Sequence, residues 1–265
     1  MAVLSPTLNV MVGAARKAAR QIRRDFNEVE QLQVSRKGAA DFVSQSDLAA
    51  EKILREELGK ARPDYGFVLE ESGEIKGKDT EHRWHVDPID GTTNFIHGVP
   101  HFCISIGLER AGAPIAGVIY NPVTDELYVA ERGKGAFLND KRLRVSGRRD
   151  MGIALFATGL NLGPHGNPKL FYAQYEAITQ ISAGIRRFGS AALDLAYVAA
   201  GRYDGFWEIG LSSWDTCAGI VMVREAGGQV TDMNGGGDVL GRQGIVAGNQ
   251  ELHPALVKAL KAVKA

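Results

Sequence analysis

The chain has 265 residues, 45% apolar and 23% charged, enough to bury a substantial core in one large domain or two small ones. Its 31 Lys and Arg balance 31 Asp and Glu, so it lacks the basic excess of a dedicated nucleic-acid binder, although a local basic patch stays open. Two cysteines, Cys103 and Cys217, are too few for a secreted disulfide framework and read as reduced, buried thiols of a cytosolic protein.

No apolar run reaches the ~18 residues of a membrane span, and no basic segment followed by an apolar stretch and cleavage site opens the chain. The expectation is a soluble, cytoplasmic protein without membrane contact. Ser5-Pro6 caps a first helix, along which Leu8, Met11, Ala15, Ala18, Ile22 and Phe26 recur at helical spacing. A second helix is predicted over 46–60, with Pro63 just beyond its end. From about 65 to 138 the pattern changes to short β-rich runs (GFVL, WHVD, FCISIGLE, IAGVIYNP, ELYVAE) separated by Gly, Pro, Asn and Asp, and IYNPVTDELY reads as a hairpin. Helices return at 168–181, 190–200 and 214–226, the last stopped by Gly227-Gly228. GFWEI and GIVAGN are further strands, and 253–264 is a terminal helix. Helices and strands mix throughout, which predicts a layered α/β protein. The loop-like stretch Asn161–Pro168 is expected to separate two halves.

Three acidic clusters carry chemistry. Leu69-Glu70-Glu71-Ser72 follows an apolar strand, Asp87-Pro88-Ile89-Asp90-Gly91-Thr92 follows another, and Trp214-Asp215 fronts an apolar helix. Asp, Pro and Gly are also the residues of tight turns, Asp47 reads as a possible cap of the second helix, and Ser213 and Asp215 as caps of the later one. A strand ending at Asp87 would present that carboxylate at the sheet edge, with the turn at Pro88 bringing Asp90 back and exposing the Ile89 carbonyl between them. Neighbouring carboxylates repel unless a cation lies between them, and hard oxygen donors select Mg²⁺, Mn²⁺ or Ca²⁺ over Zn²⁺. Backbone amides of Gly91 and Thr92, at a helix start, could face an anion.

WHVDPIDGTTNF resembles the signature W-x-x-D-P-x-D-G-T-x-N-F of the inositol monophosphatase family. WDTCAGIVMVREAGG is similar to that family's second signature, DFVSQSD to its D-x-V-T-x-x-D element, and LEES to its G-E-E-S. GSAALDLAYVAAGRYDGFWE matches the stretch before the second signature, so the motifs run in family order from about residue 8 to 250. The resemblance implies a layered α-β-α-β-α sandwich, with an N-terminal half to about residue 150 and a C-terminal half beyond it. It implies hydrolysis of a phosphate monoester, myo-inositol monophosphate foremost, by in-line attack of an activated water, with sensitivity to lithium. Two or three Mg²⁺ ions would be held by Glu70, Asp87, the Ile89 carbonyl, Asp90 and Asp215, with Asp87 shared. Asp47 and Thr92 would form a proton-accepting pair. Gly91 and Thr92 would bind phosphate, and Glu208 and the Ala191 amide would bind substrate hydroxyls.

Leu69 stands where the family has glycine, which raises the question of the loop's path and of the third ion. Lys37 is the best match to the family's mobile-loop lysine. Related branches act on 3′-phosphoadenosine nucleotides, fructose 1,6-bisphosphate, histidinol phosphate or NADP, and loops such as 158–168 are expected to choose among them. The resemblance also implies a homodimer. The basic run 142–149 reads as a solvated face; the alternative is a contact patch, since bacterial relatives serve RNA-related transcription complexes for which 142–149 and Arg186-Arg187 offer basic residues.

Overall fold

The structure, a computed structural model, describes residues 4–29, 34–36, 42–241 and 244–263, with backbone alone for 34–36 and 42–44. Lys37 lies outside the described residues. Helix α1 (Pro6–Asn27) starts where Ser5 Oγ accepts the Leu8 amide at 3.1 Å, and it buries Leu8, Met11, Ala15, Ala18 and Ile22 as the spacing predicts. Strands β1 (Val34–Arg36) and β2 (Phe42–Ser44) form a small antiparallel pair leading into α2 (Gln45–Ala61).

Eight strands then make the larger sheet: β3 (Gly66–Leu69), β4 (Gly73–Ile75), β5 (His82–Asp90), β6 (Cys103–Arg110), β7 (Ala113–Asn121), β8 (Glu126–Glu131), β9 (Gly135–Leu138) and β10 (Lys141–Arg142), with the short helix α3 (Thr92–Ile96) between β5 and β6. Their order is β10-β9-β8-β7-β6-β5-β3-β4, antiparallel except where β3 runs parallel to β5. The second half follows as β11 (Leu155–Thr158), α4 (Pro168–Thr179), β12 (Gly184–Arg186), α5 (Ala191–Ala199), β13 (Gly205–Glu208), α6 (Ser213–Glu225), β14 (Gln229–Asp232), β15 (Ile245–Gly248) and α7 (Leu252–Ala262). Its five strands lie in the order β12-β11-β13-β15-β14. The last strand of the first sheet ends at Arg142 and the first of the second begins at Leu155, so the loop 161–167 is not the seam expected of it: it lies within the second half.

The layers alternate as α-β-α-β-α. Helices α1 and α2 cover one face of the large sheet, α5 and α6 fill the space between sheets, and α4 and α7 cover the far face of the smaller sheet. Helix α6 lies very close to its sheet because β6 and β7 carry glycines beneath it. A Cβ at Gly107 would come 2.5 Å from Cys217 Sγ, and one at Gly117 2.6 Å from the Ala218 carbonyl oxygen. Both cysteines are buried and free, as expected. No helix among the described residues is long and apolar enough to cross a membrane.

Candidate active site

Parallel pairing of β3 with β5 places Leu69 beside Val86, and the next amide, that of Glu70, donates to the Val86 carbonyl at 3.2 Å. The register therefore delivers Glu70 alongside Asp87, close enough for each carboxyl to shift the other. The strand does not end at Asp87. It continues through Pro88 to Asp90, with Asp87 opposite Ser105 and Asp90 opposite Cys103, so a bulge inserts one extra residue. Bulges re-aim side chains, and here the bulge turns Asp90 onto the same side as Asp87. Asp215 arrives from the other direction, in the first turn of α6. Its helix is capped by Ser212 and not Ser213, and Asp215 Oδ2 accepts the Ser212 amide at 2.7 Å. One oxygen each from Asp87, Asp90 and Asp215 lie within 4.8 Å of one another.

Two further contacts seat α6 against the sheet. Ser105 Oγ donates to the Trp214 carbonyl at 3.0 Å, and buried His85 bridges Ser213 Oγ and Glu109, each at 2.8 Å. Burial pushes the Glu109 carboxyl up, but hydrogen bonds from His85, Arg83 and the Gly112 amide outweigh it and hold it down to about 2.

The four carboxylates oppose one another. Burial raises Glu70 well above its ordinary value, and the charges of Asp215 and Asp47 add to it. Burial raises Asp87 likewise, with Glu70, Asp90 and Asp215 adding to it. Asp90 is raised by burial but relieved by donors: its Oδ2 accepts Ser190 Oγ at 2.6 Å and the Ala192 amide at 2.7 Å, with the Ala191 amide assisting. Glu70 Oε2 and Asp87 Oδ1 are buried and find no protein N–H or O–H donor. Buried acceptors of this kind are normally satisfied, and clustered hard oxygens left without donors suit a divalent cation. The residues present fit such an ion.

Around this centre, Gly91 caps α3 at φ 102°, a left-handed conformation in which a side chain would also crowd the His101 and Gly189 carbonyls. Thr92 Oγ1 donates to the Ile89 carbonyl at 3.0 Å. Asp47 is fully buried in the first turn of α2, inside the helix and not at its cap, close enough to Glu70 to raise it. Asp90, Glu70 and Asp215 line a cleft of about 930 Å³ whose other walls include Leu160–Pro164, Arg187, Ala191 and Glu208. The loop expected to choose substrates thus borders the acidic centre. Glu208, at the end of β13, is pushed up to about 8 by burial first, then by Asp215 and Asp90, against Arg187.

Leu69 answers its question directly. It is a fully buried strand residue paired with Val86 and Gly73, and the left-handed position falls at Gly73 (φ 77°). Sequence reasoning passed over Ser190, Glu51 and Asp194. Glu51, 3% exposed on α2, accepts the amides of Glu71 and Ser72 at 2.8 and 3.4 Å. Its spacing of four from Asp47 was the available signal, since it puts both acids on one helix face. Asp194, buried on α5, is raised by burial, then by Glu208 and Asp90.

A layered α/β sandwich with buried carboxylates converging on a cleft defines a hydrolase of the phosphatase class. The chain belongs to the inositol monophosphatase family, whose model matches residues 3–265. It is 57% identical to the inositol-1-monophosphatase of Mesorhizobium japonicum over 97% of both chains. It is also 44% identical to the Nus factor SuhB of Escherichia coli over 98% of this chain and 96% of that one. A crystal structure of the extragenic suppressor protein suhB from Bartonella henselae superposes with a TM-score of 0.93 at 56% identity, covering 97% of this chain and 99% of that one. It is a phosphatase with an acidic cluster able to hold metal.

Proposed function

We propose that the chain hydrolyses myo-inositol monophosphate to inositol and phosphate with Mg²⁺, in the cytoplasm and as a homodimer. The convergence of Asp87, Asp90 and Asp215, with Glu70 beside them, at a cleft that Glu70, Asp90 and Asp215 line supports this reading. The M. japonicum relative's name supports the substrate, the family resemblance the homodimer, and the two free buried thiols the cytoplasm. Glu70, Asp87, the Ile89 carbonyl, Asp90 and Asp215 would hold the two or three ions. When bound, Mg²⁺ supplies neutralisation of phosphoryl charge and activation of a water for in-line attack.

The chain's own residues do the positioning. Amides of Gly91 and Thr92 hold phosphate oxygens. The Thr92 hydroxyl, which donates to the Ile89 carbonyl at 3.0 Å, would pass its proton to Asp47 and accept one from the attacking water. Glu208 and the Ala191 amide orient the substrate hydroxyls. No side-chain nucleophile is required. The test is phosphate release from a panel of inositol monophosphates, 3′-phosphoadenosine nucleotide, fructose 1,6-bisphosphate, histidinol phosphate and NADP, with and without Mg²⁺. Preference for a panel member other than inositol phosphate would overturn the substrate, and full turnover in EDTA would overturn the metal.

The relatives named Nus factor SuhB support a second, compatible role in contact with RNA polymerase or RNA. Arg142, Arg144, Arg149, Arg186 and Arg187 are exposed and available for it. Binding to RNA that fails even at low salt, together with no capture of RNA polymerase, would dispose of this role.

A further inference from the structure

We propose that Glu51 is the positioning residue of the acidic loop: its buried carboxylate grips the backbone after Glu70 and so aims Glu70 at Asp87. The inference rests on reading Glu70 as a cation ligand. Glu51 Oε2 accepts the Glu71 amide at 2.8 Å and the Ser72 amide at 3.4 Å, while Oε1 accepts the Ser72 hydroxyl in a short bond. The Glu70 amide is engaged by β5 through the Val86 carbonyl at 3.2 Å. Three successive amides are therefore committed, one to the sheet and two to α2, and Glu70 has little freedom to turn away.

A tether for the hairpin alone would not need this acid. The register of β3 against β4 is set by Val68 opposite Glu74 and Leu69 opposite Gly73, which closes the hairpin over residues 70–72 without Glu51. What Glu51 adds is the conformation of that tip. Among the described residues it makes no ion pair. Its charge is answered by amides and a hydroxyl, the arrangement that makes a buried carboxylate tolerable. Glu51 and Asp47 lie one helical turn apart, so a single stretch of α2 brings one carboxylate to the site and fastens the loop that brings another.

The test compares Glu51→Gln, Glu51→Ala and Ser72→Ala with wild type in the full chain. Gln keeps one acceptor oxygen in nearly the same shape, so it stays informative if the Ala variant fails to fold. Mn²⁺ binding is measured by calorimetry on protein shown to be folded by circular dichroism, and Mg²⁺ dependence is read from phosphate release. The expected result is Mn²⁺ affinity weakened about tenfold to a hundredfold in both Glu51 variants and less in Ser72→Ala, the range for groups that orient ligands. The Mg²⁺ concentration for half activity should rise by the same factor, with kcat at saturating Mg²⁺ largely kept. Folded Glu51→Gln with wild-type Mn²⁺ affinity would overturn the inference, as would a loss of kcat with metal binding unchanged. Failure of the underlying reading shows elsewhere: Glu70→Gln would then bind Mn²⁺ as wild type does, and the inference would fall with it.

Discussion

Replacing Asp90 with asparagine should stabilise the metal-free protein while abolishing its activity. Asp90 Oδ2 accepts Ser190 Oγ and the Ala192 amide at 2.6 and 2.7 Å, so the new amide has a preferred orientation. Its oxygen faces those donors, because the reverse would leave two buried donors unsatisfied at about 1–3 kcal/mol each. The NH₂ then points toward Asp87 and Asp215, where it donates to carboxylates that previously only repelled. A group raised by burial becomes one that cannot ionise, so the metal-free melting temperature rises. In wild type, Mg²⁺ at about 100 times its Kd adds ~2.7 kcal/mol. At roughly 2–4 °C per kcal/mol for a chain of this size, that is about 5–10 °C. If asparagine weakens binding about a hundredfold, the same Mg²⁺ adds only ~0.4 kcal/mol, about 1 °C. Thermal melts with EDTA or Mg²⁺, alongside phosphate release, measure all three quantities. Asp90→Asn protein with the full Mg²⁺ shift, or with wild-type turnover, would refute the assignment of Asp90 as a ligand.

The acidic centre also predicts how stability follows pH. Glu70, Asp87, Asp90 and Glu208 all lie above their ordinary values, Glu208 at about 8, so the folded state holds more protons than the unfolded chain across that interval. Stability from these groups is complete below the unfolded carboxylate range and is lost as pH rises through the folded values. Glu109, held at about 2, contributes a constant above that range. Melting temperature in EDTA should fall from about pH 5 to about pH 8.5, and Mg²⁺ should flatten the slope; a rise in EDTA would contradict the sign. Leu69→Ala should cost about 2–5 kcal/mol in urea unfolding, because Leu69 is fully buried, while activity per folded molecule persists. Glu208→Gln should raise KM for inositol monophosphate more than it lowers kcat, and should spare a phosphate ester without hydroxyls near the phosphate. Equal loss on both substrates would place Glu208 in the chemistry and not in recognition.

Long elements with a clear period were legible in the sequence: α1, α2, α6 and the strands β6 to β8 form within a few residues of where their patterns place them. The short edge strands β4, β10, β12 and β14 were not, since two to four half-exposed residues carry no alternation to detect. Asp87 was expected at a strand end because proline usually stops a strand, yet a bulge lets β5 run past Pro88. The acidic clusters could be listed from sequence, but nothing local says that β3 and β5 pair in parallel, and that pairing is what brings Glu70 to Asp87. Glu51 stayed hidden for a related reason. A glutamate on a helix is ordinarily solvated, and only the folded loop supplies the amides that bury it.

The four acids at the centre come from three pieces of the fold: Glu70 from the β3–β4 turn, Asp87 and Asp90 from either end of the bulge in β5, and Asp215 from the first turn of α6. Two of them are anchored through one oxygen, Asp90 Oδ2 by Ser190 and Ala192, and Asp215 Oδ2 by the Ser212 amide. An oxygen already engaged by N–H or O–H donors is a poor half of a bidentate grip, so these side chains favour one-oxygen coordination. Ca²⁺ takes six to eight ligands and readily accepts bidentate carboxylates, whereas Mg²⁺ demands single oxygens at octahedral positions. The hydrogen bonds that hold the acids in place would therefore also suit the smaller ion, as the proposed Mg²⁺ dependence requires. Such an ion would relieve the mutual repulsion that, after burial, raises Glu70 and Asp87, and would displace the protons they hold.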